Sequence, residues 1–306
     1  MSLQPRVVLV YRDAEYVQLL ERHGTRQQAE FFLRSRGQEL APIAERHERF
    51  RAARGEVLSQ LPVAWRRTEV HRDDLDRFLF APDDVVVALG QDGLVANLAK
   101  YLEGQPVVGL NPDPERYEGV LVPHAPGRAG ELLLAAIEGR GRYQLRSMVQ
   151  VTLDDGQRLR ALNELYLGHQ THQSSRYELA TARGREAHSS SGVIVSTGTG
   201  ATGWTRSIHR QRRTELELPA PEDDALVFFV REAWPSVATG TALTEGALGP
   251  GDALTITSRM NDRGVVFGDG IEDDRLEFTW GRIATVELAP VKLKLLLAAE
   301  GRGSAE

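Results

Sequence analysis

The chain has 306 residues, of which 41% are hydrophobic and 26% charged; this is ordinary globular composition and enough length for two domains. It contains no cysteine, which excludes disulfides, thiolate zinc sites and cysteine nucleophiles, and its eight histidines form no metal-binding pattern such as H-E-x-x-H. A net charge of −6 with dispersed basic residues disfavours nucleic-acid binding. Without a membrane-length apolar run or a signal-peptide profile, the sequence predicts a cytoplasmic protein that binds neither nucleic acid nor membranes.

The first 126 residues alternate between strand-like and helix-like segments. Residues 6–11 predict a first buried strand, and a second short strand is expected at 63–65. Two further buried strands, 85–89 and 106–110, are separated by apolar residues at helical spacing. The order strand, helix, strand favours an α/β domain with a parallel sheet over residues 1–126, with ligands expected beyond the carboxyl ends of its strands.

From residue 127 the pattern changes. A helix is expected at 131–138, and after it come eight segments that predict strands, at 148–153, 158–167, 177–182, 192–196, 225–230, 253–258, 275–280 and 284–288. Residues 127–290 are therefore predicted to form a β-rich domain, a sandwich or a pair of stacked sheets. The segment 291–306 starts with an apolar run that could close this domain or return to the first, and we expect its last six residues to be disordered.

The most informative stretch of the first domain follows the strand at 85–89. It reads Gly90-Gln91-Asp92-Gly93, and it places a carboxylate on a strand-to-helix turn. Glycines let a ligand approach the backbone, and the free N–H groups at a helix start attract phosphate. An ordinary connection in which Asp92 caps the helix remains an alternative interpretation.

Three stretches of the second domain also suggest a site. Asn163 and Glu164 offer donors and acceptors that suit a ribose or a base edge, or they form a polar pair on an edge strand. Residues 196–204 alternate hydroxyls with glycines and end in Trp204, which is typical of an anion or nucleotide cradle with an aromatic ring for stacking, or of a glycine-rich hairpin. Asp269 lies between glycines, which a tight turn also explains.

One local cluster is an exception to the general spread of basic residues. They could face a polyphosphate or form a solvated helix face, and they are Arg206, His209, Arg210, Arg212 and Arg213.

Taken together, the order of these motifs resembles the NAD kinase family over nearly the whole chain after the first strand. The resemblance is carried by Gly90–Leu94, Leu162–Glu164, Ser196–Gly200 and Gly268–Gly270. Further phrases resemble the mitochondrial type and its bacterial relatives, namely Asn111-Pro112-Asp113-Pro114-Glu115-Arg116 with Glu118-Gly119, Ser189-Ser190-Ser191-Gly192, Trp204 and Arg231-Glu232.

The resemblance implies transfer of the terminal phosphate of ATP, with Mg²⁺, to the 2′-hydroxyl of NAD, by a homodimer or homotetramer. Asp92 matches the family's general base, and Asn163 with Glu164 matches the pair that holds the NAD ribose. The remaining nucleotide-binding positions that it implies are Gly90, Gly93, Thr199, Thr202, Gly203, Trp204 and Ser207. Asp269 matches a turn aspartate with a structural or supporting role.

The first motif departs from the family's Gly-Gly-Asp-Gly-Thr at two positions. Gln91 replaces a glycine where backbone approaches phosphate, and Leu94 replaces a threonine hydroxyl. These changes weaken the implication of ATP use more than that of NAD binding. The alternatives are a catalytically weak NAD or NADP sensor and a lipid or sugar kinase with a similar motif.

Overall fold

The computed structural model describes residues 5–299. They form two compact units, one made of the chain up to Gln144 together with the segment from Lys294 onward, and the other made of Leu145–Leu293. No helix within 5–299 is long and apolar enough to cross a membrane.

The first unit contains a six-stranded, mostly parallel sheet. With strands numbered along the whole chain, these are β1 Arg6–Tyr11, β2 Arg66–His71, β3 Val85–Leu89, β4 Pro106–Leu110, β5 Gly141–Arg146 and β18 Leu293–Ala299. Their order is β2-β1-β3-β4-β18-β5, and the pairs β1–β2, β1–β3, β3–β4 and β4–β18 are parallel. The last apolar run therefore returns to the first sheet, while residues 300–306 lie outside the described chain.

Helices cover this sheet because its central strands are apolar on both faces. The helices are α1 Glu15–His23, α2 Arg26–Arg34, α3 Ala41–Ser59, α4 Asp92–Ala99 and α5 Ala129–Ile137, with short 3-10 turns at Arg72–Arg77 and Pro126–Arg128. Every residue of β3 is buried, as expected for a strand between helix layers. Val57 of α3 and Leu132 of α5 are buried in the same apolar cluster as Val87.

The strand expected at 63–65 is displaced. Those residues form a turn in which the Trp65 N–H donates to the Pro62 carbonyl at 3.0 Å, and β2 begins at Arg66. The strand is an edge strand with the polar sequence RRTEVH, so it lacks the apolar run that identifies the central strands.

The second unit consists of two six-stranded antiparallel sheets. The first has the order β10-β9-β14-β17-β6-β7 and the second β13-β12-β11-β8-β15-β16. The strands are β6 Val149–Leu153, β7 Arg158–Ala161, β8 Glu164–His169, β9 Ser175–Thr181, β10 Gly184–Ser190, β11 Val193–Ser196, β12 Leu226–Val230, β13 Glu245–Leu248, β14 Leu254–Ser258, β15 Gly264–Gly268, β16 Ile271–Glu277 and β17 Ile283–Leu288. A 3-10 turn at Gly200–Thr202 leads into helix α6, Trp204–Arg212.

Both sheets contribute to a single apolar core. Leu179 and Ile256 of one sheet and Val195 and Phe228 of the other belong to the same buried cluster. The predicted class, an α/β region with a parallel sheet followed by stacked β-sheets, is confirmed.

The segment 158–167, expected as one strand, is two. Residues 158–161 pair with β6 in one sheet, whereas Glu164–His169 lies in the other between β11 and β15. The break falls at Leu162 and Asn163, so the chain changes sheets at the polar pair.

Candidate functional site

The turn after β3 places Asp92 at the start of α4. Gly90 follows the strand and its N–H donates to the Leu110 carbonyl at 3.0 Å, and Gly93 is exposed as the second residue of the helix. Leu94 is buried, and its Cδ2 lies 3.1 Å from where a Cβ on Gly90 would be. A helix N-terminus thus follows the carboxyl end of a central parallel strand, which is where α/β sheets generally bind ligands.

The Asp92 carboxylate is held by backbone N–H groups rather than acting as the helix cap, a position that Gln91 occupies. Its Oδ1 accepts from Leu121 N–H at 2.7 Å and its Oδ2 from Val120 N–H at 3.1 Å. Each carboxylate oxygen can accept a further hydrogen bond. The half-buried side chain is therefore fixed in orientation and can still accept a hydrogen bond from a ligand.

In the second unit, the Asp269 carboxylate closes the break between β7 and β8. Its Oδ1 accepts from Asn163 N–H at 2.6 Å and its Oδ2 from Leu162 N–H at 3.0 Å, while its own N–H donates to the Glu164 carbonyl at 3.0 Å. Asp269 has φ +54°, which aspartate tolerates better than most residues. Asp269 thus orders the segment that carries the polar pair.

Glu164 is a perturbed acid. Burial raises its pKa to about 7, and the neighbouring negative charge of Asp269 adds to the increase. Because β8 lies between β11 and β15, the interpretation of Asn163 and Glu164 as an edge-strand pair is wrong. A carboxyl group that titrates near neutral pH is a frequent property of functional sites.

The glycine-rich segment is joined to the same break. The Thr197 N–H donates to the Asn163 carbonyl at 2.9 Å, and the Thr197 hydroxyl donates to the Leu162 carbonyl at 2.6 Å. The Thr197 hydroxyl also accepts from Gly200 N–H at 3.3 Å. A Cβ on Gly200 would lie 2.3 Å from the Asn163 carbonyl oxygen, so this approach requires glycine. The segment continues into α6 and is not a hairpin.

The other residues expected to bind the nucleotide fall into two groups. Thr199 is buried, and its hydroxyl accepts from the Arg146 guanidinium at 3.3 Å. The other four residues are exposed, and they are Thr202, Gly203, Trp204 and Ser207. The exposed group surrounds the start of α6.

Trp204 has an aromatic and a cationic neighbour. Its ring is stacked with Tyr166 at 6.4 Å between centroids and 15° between planes, and the Arg231 guanidinium carbon lies 4.9 Å from the indole centroid. The only local signal for Tyr166 is that it lies two residues from Glu164, on the same face of the strand. Arg231 contributes to the family resemblance, but nothing in the local sequence relates it to Trp204.

The basic cluster divides between structural and exposed residues. Arg212 donates to the Val230 carbonyl and to the Thr244 carbonyl, the latter at 3.0 Å, and the His209 ring bonds the Leu216 carbonyl at 2.7 Å. Arg206, Arg210 and Arg213 are exposed. The polyphosphate interpretation therefore applies at most to the exposed arginines.

Asp92 belongs to the first unit, whereas Asn163, Glu164, Asp269 and the glycine-rich segment come together in the second.

No family model and no curated protein sequence matches the chain. Among solved structures it is similar to an NAD kinase from Archaeoglobus fulgidus in complex with ATP, with a TM-score of 0.57 and 15% identity over 95% of this chain and 93% of that one. It is also similar to yeast NADH kinase complexed with NADH, with a TM-score of 0.57 and 13% identity over 97% of this chain and 84% of that one. The chain therefore has the two-domain fold of the NAD kinase family.

Proposed function

We propose that the chain is an NAD kinase that transfers the terminal phosphate of ATP to the 2′-hydroxyl of the adenosine ribose of NAD. In this reaction the ribose oxygen forms a bond to the γ-phosphorus, the bond to the β-phosphate oxygen breaks, and ADP leaves. Asp92 accepts the hydroxyl proton as general base. Placement of the reactants and charge neutralisation supply the rest of the acceleration.

The observation that carries this proposal is the held carboxylate of Asp92. Two backbone N–H groups fix it at the start of a helix, in a fold shared with an NAD kinase that was solved with ATP. A general base must have this kind of fixed orientation to remove a proton from a bound hydroxyl.

In the second unit, Asn163 and Glu164 hold the NAD ribose, and Thr199, Thr202, Gly203, Trp204 and Ser207 surround the dinucleotide. Gly90 and Gly93 leave the backbone open to phosphate. No three His, Asp or Glu side chains within residues 5–299 are grouped to hold a metal ion. Since Mg²⁺ usually takes one or two carboxylates together with substrate phosphates, it would bind mainly through ATP. We further propose that the protein is cytoplasmic and forms a homodimer or homotetramer. Light scattering of the purified protein measures its oligomeric state.

The test is NADP formation by the purified protein with NAD, ATP and Mg²⁺. Asp92→Asn should lower kcat by at least ~100-fold with little change in the KM for NAD. Asp83→Asn is the matched control, because this exposed carboxylate precedes β3 and pairs with Arg66. Near-normal turnover of Asp92→Asn would contradict the role of Asp92.

A second candidate, an NAD or NADP sensor with weak activity, is favoured by Leu94. This side chain is buried and offers no hydroxyl at the helix start. The double variant Gln91→Gly with Leu94→Thr distinguishes the two functions. A large gain in turnover favours the sensor, whereas unchanged turnover of an active wild type favours the kinase.

A further inference from the structure

The loop that holds Asp92 starts and ends at the same strand. After β4 the chain leaves at Asn111, whose N–H donates to the His124 carbonyl at 2.8 Å, and the His124 N–H donates back to the Gly109 carbonyl at 3.3 Å. The His124 ring also bonds the Leu296 carbonyl of β18 at 2.9 Å. The base of the loop is therefore anchored in the sheet.

The interior of this loop, residues 111–124, is organised around the side-chain amide of Asn111. Asn111 is buried, its Oδ1 accepts from Asp113 N–H at 3.0 Å, and its Nδ2 donates to the Tyr117 carbonyl at 2.8 Å. Gly119 has φ +71°, and a Cβ there would lie 2.7 Å from the Asn111 Nδ2. The turn that precedes Val120 and Leu121 thus packs directly against the Asn111 side-chain amide.

We propose that Asn111 is a positioning residue for Asp92. By fixing the loop, it places the N–H groups of Val120 and Leu121 where both carboxylate oxygens of Asp92 accept from them. Its removal lets these two donors move, and the carboxylate loses its fixed orientation. The structural part of this inference is independent of the reaction, and its catalytic consequence rests on the proposed function.

The opposite end of the same strand provides a matched control. Gln105 is buried like Asn111, its Oε1 accepts from Glu103 N–H at 2.7 Å, and its Nε2 donates to the Ala81 carbonyl at 3.1 Å. Gln105 directly precedes β4, as Asn111 directly follows it, so Gln105→Ala removes the same two kinds of hydrogen bond beside the same strand without touching the loop at 111–124.

The first experiment measures hydrogen exchange of the Val120 and Leu121 amides in the full-length protein. Asn111→Ala, and Asn111→Asp as a variant that keeps the side-chain volume, should speed this exchange by about tenfold or more, because the N–H groups are no longer held against Asp92. Gln105→Ala should leave it near the wild-type rate. Unchanged exchange in the Asn111 variants would overturn the proposal.

The second experiment measures kcat and KM for NAD on the same proteins. Both Asn111 variants should lower kcat by on the order of 10- to 100-fold with KM within about twofold, since misplacing a catalytic group costs rate rather than binding. Faster exchange with unchanged kcat, or an equal loss of kcat in Gln105→Ala, would overturn the catalytic consequence. A wild type that forms no NADP would refute the kinase proposal, while the exchange experiment would still decide whether Asn111 holds the loop.

Discussion

Asp269 and Asn163 are joined by a 2.6 Å hydrogen bond in which the backbone N–H of Asn163 donates to the Asp269 carboxylate. The same carboxylate accepts from the preceding N–H, so two consecutive amides share one acidic side chain. Asp92 binds the consecutive amides of Val120 and Leu121 in the same way. Two segments important for the proposed function are therefore each ordered by one aspartate.

Asp269→Asn tests the contribution of this carboxylate. Asparagine also tolerates the positive φ of Asp269, but its amide has one acceptor oxygen where two are used. We expect a loss of about 1–3 kcal/mol in the free energy of unfolding, measured with urea. The control is Asp252→Asn, because Asp252 is exposed and accepts from Gly249 N–H in a surface turn. An equal loss in both variants would show that Asp269 is only an ordinary turn residue.

Glu164 should make the folded state pH-dependent. Its folded pKa of about 7 lies above its unfolded value of 4.5, so the native state binds more protons in this window. The contribution of Glu164 to the free energy of unfolding is therefore fully present below about pH 4.5. It is lost as the pH rises through 7, and the total loss is at most about 3 kcal/mol.

Thermal unfolding of wild type and Glu164→Gln between pH 5 and 8 measures the effect. Glutamine has no proton to lose, so the variant should show a flatter dependence of Tm on pH, with its advantage over wild type growing toward pH 8. Parallel curves for the two proteins would contradict the raised pKa.

Trp204→Ala tests stacking in nucleotide binding. Loss of the indole should raise the KM for NAD about threefold to tenfold and leave kcat nearly unchanged, because an aromatic contact contributes about 0.5–1.5 kcal/mol to uniform binding. Trp280→Ala removes a tryptophan that is 63% exposed, compared with 38% for Trp204. If both variants change KM equally, Trp204 has no specific role.

Gly200→Ala should disrupt the contact between the glycine-rich segment and Asn163. The added Cβ would meet a backbone carbonyl at 2.3 Å, so one backbone must shift, and a loss of about 1–3 kcal/mol in unfolding free energy is expected. Gly55→Ala is the matched control, and it should change the unfolding free energy in the opposite direction. Its Cβ meets open space within α3, so the alanine should stabilise the helix by up to about 1 kcal/mol. Denaturant curves of both variants measure the difference, and a Gly200→Ala protein as stable as wild type would refute the close approach.

The local sequence predicts those helices, strands and turns whose formation depends on neighbouring residues in the chain. The strand β3, the turn at Gly90 and the helix after it follow from one apolar run and its change of period. The polar edge strand β2 has no such run. The break at Asn163 has no local signal, because the side chain that holds it is Asp269, 106 residues away in sequence. The neighbours of Trp204 are likewise brought together by strand pairing, which spacing along the chain does not reveal.

Because β18 lies between β4 and β5, the first sheet can be completed only after the second unit has been synthesised. The first sheet starts at Arg6 but contains a strand that ends at Ala299. During synthesis the second unit has all its strands before the first does. The side of β4 opposite β3 therefore stays unpaired until residues 293–299 have been made. A fragment ending at Gln144 would expose the side of β4 to which β18 pairs, and with it the hydrogen-bonding groups of a buried strand.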